Sequence, residues 1–471
     1  MNATTMLSFY DQRRLSSRYW TVFGLLCAAL ALDFFDFFIV GFLVASISSS
    51  WQLTYLQSSI MLLAGGLGGL VGGLGFGALG DRLGRKPMLI LATATCGIGA
   101  GALALVPQGN WQLFSLLRLL VGAGLGGVGT LQLVLLVELT PTPKRVGLMG
   151  WPVLVPSLGT MLAAGAAHSL IEVVGWRGLA ALGILPLLFC VPFALLIPES
   201  PRWLLTRGRA REARQSIARV AGCGVSEVPE GGDVIASPPS SSPLELLRRP
   251  GRALLIALVF LAIGTANYGV YLWGPTIISM IMEIPVAQAS KYFIWIALSG
   301  IVGRILFSIL PARIGRVWSG RLVGFGIAGC LAIAGVFHDH FVFGMPVFVV
   351  ALAFGALFFD GGFSTLVPYT AEIFSTRLAA RGAGLAQSSN GLGKILGPLF
   401  LALIAGSQDY VTAKATQAAV QPGFLFLAAC GLLMAICFFF APETRDVAVA
   451  MDEEELEPIP HPGTSTSWSQ Q

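Results

Sequence analysis

Long apolar stretches run through this chain and are separated by short polar segments. A bilayer core about 30 Å thick requires about 20 apolar residues for each helix that crosses it, because every main-chain polar group must be paired inside the helix. Twelve stretches meet this requirement, which predicts an all-α membrane protein with 12 transmembrane helices. The predicted helices span 21–45, 56–79, 87–106, 112–137, 147–170, 177–197, 253–281, 291–310, 319–337, 342–368, 381–406 and 422–441.

One polar segment occurs twice in this pattern. Gly80–Lys86 follows the second apolar stretch, and an altered copy, Pro311–Val317, follows the eighth. Copies at corresponding places predict a duplicated protein with two pseudo-symmetric six-helix bundles, residues 1–197 and 252–441. Two such bundles that rock about a central cavity are typical of secondary transporters.

Composition and charge agree with a membrane location. With 55% hydrophobic residues, 11% charged residues and a mean hydropathy of +0.78, the chain is too apolar to fold around one soluble core. Most of the 29 Lys and Arg residues lie in segments that predict cytoplasmic N and C termini. We expect a monomer in the inner or plasma membrane. The net charge of +5 reflects these cytoplasmic segments, not a surface for nucleic acid.

Two polar regions lie outside the predicted bundles. Residues 198–251 begin with an Arg-rich stretch that predicts short surface helices and continue as a flexible linker rich in Gly, Pro and Ser. Anionic lipid is the simpler ligand for these arginines, and a protein partner is the alternative. Residues 442–471 predict a disordered cytoplasmic tail.

No residue pattern points to an enzyme or to a cofactor. The seven cysteines have no metal-ligand spacing and predict packing residues. His338 and His340 flank Asp339 in a short external loop, for which solvent exposure is the simpler interpretation and metal binding or proton relay the alternative. We therefore predict no cofactor and no metal.

Two carboxylates lie in the first predicted helix. Asp33 and Asp36 are three residues apart, so they share one face near mid-membrane. A charge there costs about 2.5–3.5 kcal/mol unless it is neutralised, paired or hydrated, and crowded carboxylates disfavour double ionisation. Protonation of at least one can therefore act as a coupling switch. The alternative is that one aspartate only pairs with Arg118.

Arg118 lies in the outer part of the fourth predicted helix. Gly122, Gly124 and Gly126 follow it and permit another helix to approach closely. Its guanidinium stays protonated, so it can stabilise an ionised carboxylate nearby. It can equally hold a substrate anion or serve only as a structural pair.

Several motifs resemble those of the major facilitator superfamily. The segment Gly77-Ala78-Leu79-Gly80-Asp81-Arg82-Leu83-Gly84-Arg85-Lys86 is similar to its signature between helices 2 and 3. Other matching positions are Arg118 with its glycines, Glu138 with Arg145 and Gly147, Glu372 with Arg381 and Gly382, and Pro198–Arg202, which Pro442–Thr444 repeats. The sugar-porter branch and the aromatic acid:proton symporter branch share the last of these. Paired aspartates in helix 1 resemble the acid branch, although Phe34 occupies the place of its usual glycine.

The resemblance also implies that Lys394 in helix 11 faces the transport cavity. Asn390 lies one turn earlier on the same face, so an ammonium and an amide can receive a substrate carboxylate together. A salt bridge from Lys394 to Asp360 of helix 10 is the alternative. Arg304 lies near the inner end of helix 8, where we expect a gate or packing role.

Helix 7 offers aromatic and amide side chains for the same cavity. Asn267, Tyr268, Tyr271 and Trp273 precede Gly274 and Pro275, which mark a helix that can bend. Aromatic walls suit flat rings and also suit sugars. Together with the cations, they favour a small aromatic carboxylate.

Charged residues at the cytoplasmic helix ends predict a gate that must open during transport. The predicted members are Asp81, Arg82, Arg85, Glu138, Arg145, Glu372, Arg377 and Arg381. Because Ala312 replaces the acid of the first copy, we expect the gate to be asymmetric.

The sequence therefore predicts a proton-coupled importer of a small organic anion, namely an aromatic carboxylate resembling hydroxybenzoate or nicotinate. A sugar or polyol symporter and an efflux antiporter are the alternatives within transport. A sensor that binds ligand without moving it is the alternative from another class.

Overall fold

The computed structural model describes residues 3–230, 245–246, 249–342, 344–375 and 378–445. These residues are almost entirely α-helical, with a single small hairpin of two short strands among them. The helices are α1 (Ala3–Gln12), α2 (Ser17–Ile47), α3 (Tyr55–Leu83), α4 (Arg85–Leu103), α5 (Trp111–Leu139), α6 (Arg145–Leu148), α7 (Gly150–Ala181), α8 (Cys190–Leu196), α9 (Pro201–Thr206), α10 (Ala210–Ala221), α11 (Pro250–Ile281), α12 (Val286–Ile314), α13 (Arg316–Val336), α14 (Val347–Glu372), α15 (Ala379–Ile404) and α16 (Ala413–Cys437), and the strands are β1 (Phe341–Val342) and β2 (Met345–Pro346).

Ten helical runs in the described part of the chain are long and apolar enough to cross a membrane. The predicted fifth and sixth helices lie in one run, Gly150–Leu196, where Gly175 leaves the helical conformation with a φ of 65°. The predicted eleventh helix corresponds to α15, which is not among the ten because polar residues such as Asn390 and Lys394 lower its hydropathy. Twelve transmembrane helices therefore remain a prediction.

Polar residues between the apolar stretches begin the helices. The Ser16 hydroxyl accepts a hydrogen bond from the N–H of Tyr19 at the start of α2. Thr54 and Gln57 form a reciprocal capping box at the start of α3. These side chains satisfy N–H groups that have no partner inside the helix, so the connecting segments set where each helix starts.

Glycines bring α5 into close contact with two neighbouring helices. A Cβ atom on Gly122 would overlap the carbonyl of Gly65 in α3, and one on Gly126 would overlap Gly69. Gly124 instead faces α4, where a Cβ would lie 2.8 Å from the carbonyl oxygen of Ala92. The predicted close approach at these glycines is therefore present, and it places α5 beside both α3 and α4.

The chain divides into two compact units. Unit 1 comprises Met1–Ser240, Val270–Leu298 and Pro398–Ala419, and unit 2 comprises Ser241–Gly269, Ser299–Gly397 and Val420–Gln471. Parts of α11, α12, α15 and α16 thus belong to unit 1, although the sequence places them in the predicted second bundle.

Segments far apart in sequence meet within unit 1 at the Tyr55 end of α3. Thr54 pairs with Tyr410 in an antiparallel bridge, and the N–H of Leu56 donates to the carbonyl of Ser407 at 3.0 Å. The hydroxyls of Tyr55 and Thr416 lie 2.7 Å apart. Main-chain and side-chain hydrogen bonds therefore join these segments at the end of α3 opposite to Gly84.

Short helices cover the other end of unit 1. Hydrophobic side chains of α1, α9 and α10, including Met6, Trp203 and Ile217, are buried in a shared core. The predicted surface helices in the Arg-rich stretch correspond to α9 and α10. Residues 222–230 pack back on this layer with Val228 buried. The rest of the predicted linker, apart from residues 245–246 and 249–251, and the tail from residue 446 onward lie outside the described residues.

Candidate functional site

Asp33 and Asp36 lie on one face of α2 inside unit 1, as their spacing predicts. The side chains are buried, with relative exposures of 6% for Asp33 and 1% for Asp36. Two acidic groups one helical turn apart therefore share an interior without bulk water. Such groups are costly to ionise unless a cation or hydrogen-bond donors compensate their charge.

Arg118 supplies a cation to one of the two aspartates. Its Nη1 atom lies 3.5 Å from Oδ2 of Asp36, and both side chains are almost fully buried. The guanidinium also donates to the main-chain oxygens of Asp36, at 3.2 Å, and Phe37, at 3.4 Å. Gly65 leaves room for it, because a Cβ there would lie 3.0 Å from Nη2. Arg118 therefore joins α5 to α2 and pairs with one of the two aspartates, an arrangement that the sequence left open as an alternative.

The remaining surface of Asp36 is closely packed. The Cys96 thiol of α4 lies 3.9 Å from Oδ2 and donates to it. On the other side, a Cβ on Gly183 would come within 2.7 Å of Oδ1. The cysteine spacing predicts only packing residues. It does not identify Cys96 as a partner of the aspartate, because no spacing rule connects α2 with α4.

Asp33 has a different neighbour, the Gln132 amide of α5. Gln132 lies close enough to Asp33 to act on its carboxyl group. In the structure, Oδ2 of Asp33 and both polar atoms of Gln132 are buried and have no hydrogen-bond partner among the described residues. Gln132 is fully buried and was not identified from the sequence.

A second buried ion pair lies in unit 2. Nη2 of Arg304 donates to Oδ1 of Asp360 at 3.0 Å, and the Asn267 amide donates to the same oxygen at 3.4 Å. The side chains of Arg304 and Asp360 are 7% and 5% exposed. Arg304 thus has a specific partner in the unit interior, and the gate or packing role that the sequence predicts for it stays a prediction.

Lys394 and Asn390 both lie on α15 in unit 2. Nζ of Lys394 lies 5.1 Å from the centre of the Tyr268 ring, which is within cation–π distance. Oδ1 of Asn390 is buried and has no hydrogen-bond partner among the described residues. The structure therefore brings Lys394 to one of the predicted aromatic residues and leaves an acceptor on Asn390 unused.

The other predicted aromatic residues of helix 7 belong to unit 1. Tyr271 is buried, with its ring centre 5.1 Å from that of Phe38. Trp273 donates from Nε1 to the carbonyl of Pro398 at 3.1 Å, and its ring lies 5.6 Å from Tyr55. The predicted substrate-binding residues are thus divided between the two units.

The predicted gate residues of the first copy form a charged cluster in unit 1. Arg85 pairs with Asp81 at 2.9 Å and with Glu138 at 3.5 Å. Arg145 donates from Nε to the carbonyl of Thr140 at 3.0 Å. Arg82 is exposed.

The second copy holds a related cluster in unit 2. Arg316, the counterpart of Arg85, forms two hydrogen bonds with Glu372 at 2.6 and 3.1 Å. Ala312 has no carboxylate, so the contact that Asp81 makes in the first copy has no equivalent here. Arg381 is half-buried near the start of α15, and Arg377 lies outside the described residues.

Two further carboxylates lie next to these clusters, and each caps the N-terminus of a helix. Neither was assigned a role from the sequence. Glu199 accepts hydrogen bonds from the N–H groups of Arg85 and Lys86, at 3.0 and 3.2 Å. Glu443 accepts from the N–H groups of Arg316 and Val317, at 2.8 and 3.1 Å. The repeated Pro-Glu after the predicted helices 6 and 12 was the available signal.

The loop with the two histidines makes only local contacts in the structure. His340 and Asp339 pair at 2.6 Å, with both side chains largely exposed. No cluster of three or more His, Cys, Asp or Glu residues that can hold a metal occurs in the described ranges.

Comparison with known proteins identifies the family. Residues 17–453 match the profile of a family described as "Sugar (and other) transporter". The chain belongs to this transporter family. It is a multi-pass membrane transporter of the major facilitator superfamily and not an enzyme. The match confirms the resemblance to this superfamily that the sequence motifs indicated.

Two relatives are named as transporters of aromatic acids. The niacin transporter NiaP of Acinetobacter baylyi is 28% identical over 408 residues, which cover 84% of this chain and 89% of the relative. The 4-hydroxybenzoate transporter PcaK of Pseudomonas aeruginosa is 32% identical over 216 residues, which cover 45% of this chain and 48% of the relative.

The fold is also similar to that of a solved sugar transporter. The xylose transporter XylE from E. coli, in a partially occluded inward open conformation, aligns with a TM-score of 0.67 at 18% identity. The alignment covers 91% of this chain and 99% of XylE. At this identity the likeness establishes the major facilitator fold of the transporter and no more.

Proposed function

We propose that this transporter imports a small aromatic carboxylate, resembling nicotinate or hydroxybenzoate, together with protons across the cell membrane. The names of the relatives NiaP and PcaK support this substrate class. The observation that carries the proposal is the group of two buried aspartates with one arginine in unit 1, where Arg118 compensates the charge of Asp36.

The proposed coupling follows from the charge balance of this group. One guanidinium can neutralise one carboxylate, so an ionised Asp33 beside the Asp36–Arg118 pair leaves one negative charge in a medium of low dielectric constant. Such a charge costs about 2.5–3.5 kcal/mol or more. A proton that enters from outside removes this charge, and its release into the cytoplasm restores it. Proton binding therefore favours one conformation over the other and couples transport to the gradient.

Unit 2 supplies groups that suit a substrate anion. The Lys394 ammonium can receive a carboxylate by a charge-assisted hydrogen bond, and the amide of Asn390 lies one turn away on the same helix. The ring of Tyr268 beside Lys394 offers an aromatic surface on which a flat ring can stack. Asn267, which contacts Asp360, adds an amide to the same unit. These side chains fit a planar aromatic acid better than a polyol.

The charged clusters next to the two copied loops act in this proposal as parts of a cytoplasmic gate. In unit 1, Arg85 has two acidic partners, whereas Arg316 has one, Glu372, among the described residues of unit 2. We propose that the first cluster resists opening more strongly than the second. The gate is then asymmetric.

Uptake into proteoliposomes tests the proposed function. Purified protein is given labelled nicotinate, 4-hydroxybenzoate or xylose, with and without an inward proton gradient. The expected result is gradient-driven accumulation of an aromatic acid and none of xylose. Accumulation of xylose alone would instead establish a sugar symporter, which the family description and the likeness to XylE make the second candidate. Efflux driven by the inward gradient would establish an antiporter, and saturable binding without flux a sensor.

A further inference from the structure

We infer that Gln132 positions Asp33 for proton exchange: its amide accepts a hydrogen bond from the protonated carboxyl and donates one to the ionised carboxylate. Asp33 is then the aspartate that exchanges the coupled proton, and Asp36 remains the partner of Arg118. The inference rests on the proposed proton coupling, and it adds a residue that neither the sequence motifs nor the relatives' names assign.

The first observation is the burial of an incompletely bonded amide. Gln132 is fully buried on α5, where the apolar side chains Val128, Leu131, Leu135 and Leu136 are also buried. A buried polar group without a partner costs about 1–3 kcal/mol, so an amide in this apolar stretch requires one. Asp33 lies close enough to be that partner. Both polar atoms of the amide and Oδ2 of Asp33 have no hydrogen-bond partner among the described residues, so all three are available for the proposed bonds.

The second observation is the contrast with Asp36. That carboxylate is held by Arg118 at 3.5 Å and by the Cys96 thiol at 3.9 Å, and it packs against Gly183. Arg118 is anchored further by two main-chain oxygens of α2. Asp36 therefore has a cation in place when it is ionised, whereas no cation is paired with Asp33 in the described part of unit 1. Neutralisation by a proton thus benefits Asp33 more than Asp36.

The third argument comes from the chemistry of the amide. A glutamine presents a carbonyl acceptor and an NH₂ donor, so rotation about its last torsion by about 180° exchanges the two. The Asp33 hydroxyl can donate to Oε1 in the protonated state. After the proton leaves for water, the carboxylate can accept from Nε2. The amide neither gains nor loses a proton, so the net change is one O–H bond broken at Asp33 and one proton released.

Few other titratable groups act on Asp33. Asp36 lies on the same helix, and Arg118 and Cys96 approach the pair of aspartates from α5 and α4. The neighbouring stretches 150–167 and 182–189 contain no titratable residue, and α3 carries its titratable residues only at its ends. From α11, Tyr271 lies against Phe38 of α2. A change at Gln132 therefore acts mainly on the protonation of Asp33.

The test compares Gln132→Met with Gln132→Glu in proteoliposomes, and Gln112→Met, an exposed glutamine of the same helix, is the control. Met has a similar volume but can form neither of the two proposed hydrogen bonds to Asp33. The bond to the ionised carboxylate is the stronger of the two, so its loss favours the protonated form. Gln132→Met should therefore move the pH profile of uptake about one unit toward higher pH. Gln132→Glu should resemble wild type at acidic pH, where its carboxyl has both donor and acceptor, and lose accumulation at neutral pH. Gln112→Met should match wild type.

An unchanged pH profile in Gln132→Met would overturn the inference. If that variant does not reach the membrane, the profile of Gln132→Glu decides, and uptake that follows wild type at every pH contradicts the role of the amide. Wild-type protein without a response to the proton gradient would refute the proposed coupling itself. Gradient-driven wild-type uptake with wild-type profiles in both variants would refute only the role of Gln132.

Discussion

Glu199 and Glu443 occupy corresponding places in the two copies of the repeat. Each carboxylate accepts hydrogen bonds from the first two N–H groups of a helix, α4 for Glu199 and α13 for Glu443. Each helix follows a glycine with positive φ, 112° at Gly84 and 92° at Gly315. A carboxylate at a helix N-terminus satisfies unpaired donors and interacts favourably with the helix dipole. The duplicated sequence thus preserves a duplicated cap, although the Asp81 position of the loop is not preserved.

The first prediction concerns the charge on Glu199. Burial raises the pKa of Glu199, and the hydrogen bonds from Ser200, Lys86 and Arg85 oppose this only in part. An acid whose pKa is raised on folding stabilises the folded state in its protonated form. This contribution is present below the unfolded pKa of about 4.3 and is lost as pH rises through the folded value. Glu199→Gln should therefore match or exceed the thermal unfolding midpoint of wild type at pH 7.5, with a smaller difference at pH 5.

Glu199→Ala is the contrasting variant for this measurement. It removes both acceptor oxygens and leaves the N–H groups of Arg85 and Lys86 uncapped, at a cost of about 0.5–2 kcal/mol. Its unfolding midpoint should lie below that of wild type at both pH values. A Glu199→Gln protein that is as unstable as Glu199→Ala at pH 7.5 would show that the ionised cap is the stabilising form.

The second prediction concerns the gate at Asp81. The Asp81 side chain is 73% exposed, so its ion pair with Arg85 contributes less than about 1 kcal/mol to stability. Asp81→Asn should leave the unfolding midpoint unchanged but slow uptake and favour the inward-open state. Cysteine-accessibility labelling from the cytoplasmic side measures that state. Unaltered labelling together with wild-type uptake would remove Asp81 from the gate.

The third prediction concerns the Arg304–Asp360 pair in unit 2. Removal of one partner leaves the other charge buried, which costs about 3–5 kcal/mol. Asp360→Asn and Arg304→Met should each lower the unfolding midpoint markedly. The double variant should lose less than the sum of the two single losses, because it leaves no unpaired charge. If the losses of stability in the two single variants add up to the loss in the double variant, the two side chains do not stabilise the fold through their mutual interaction.

The fourth prediction concerns Lys394. Loss of a charge-assisted hydrogen bond to the substrate costs about 1.5–3 kcal/mol, so Lys394→Gln should raise the KM for 4-hydroxybenzoate about ten- to hundredfold. Lys414→Gln, which changes an exposed lysine of α16, is the matched control and should keep the wild-type KM. If Lys394→Gln lowers the maximal rate at unchanged KM, the ammonium does not bind the ground-state substrate.

The helices could be predicted from the sequence more fully than their side-chain partners. Apolar length and the polar breaks near Ser16 and Thr54 are local properties, so the positions of the helices follow from them. The pairs Asp33–Gln132 and Asp360–Arg304 depend on how neighbouring helices are rotated. Membrane helices are apolar on nearly all faces, so periodicity does not reveal that rotation.

Asp36 and Arg118 lie together in the structure, and their roles in coupling stay a prediction. The sequence left open that one of the two aspartates, without saying which, pairs with Arg118, because few charged residues occur inside the predicted helices. Cys96 and Gln132 were missed because neither carries a charge, so neither stands out from the sequence of an apolar helix. Only the close packing of α4 and α5 brings them to the aspartates.

The central claim is that a buried carboxyl couples solute movement to protons, and accumulation by Asp33→Asn and Asp36→Asn tests it most directly. Each variant and the double variant are compared with wild type for uphill uptake of the aromatic acid under an inward proton gradient, with solute exchange as the control for folding. We predict that Asp33→Asn abolishes accumulation and retains exchange. Full uphill accumulation by the double variant would contradict the account.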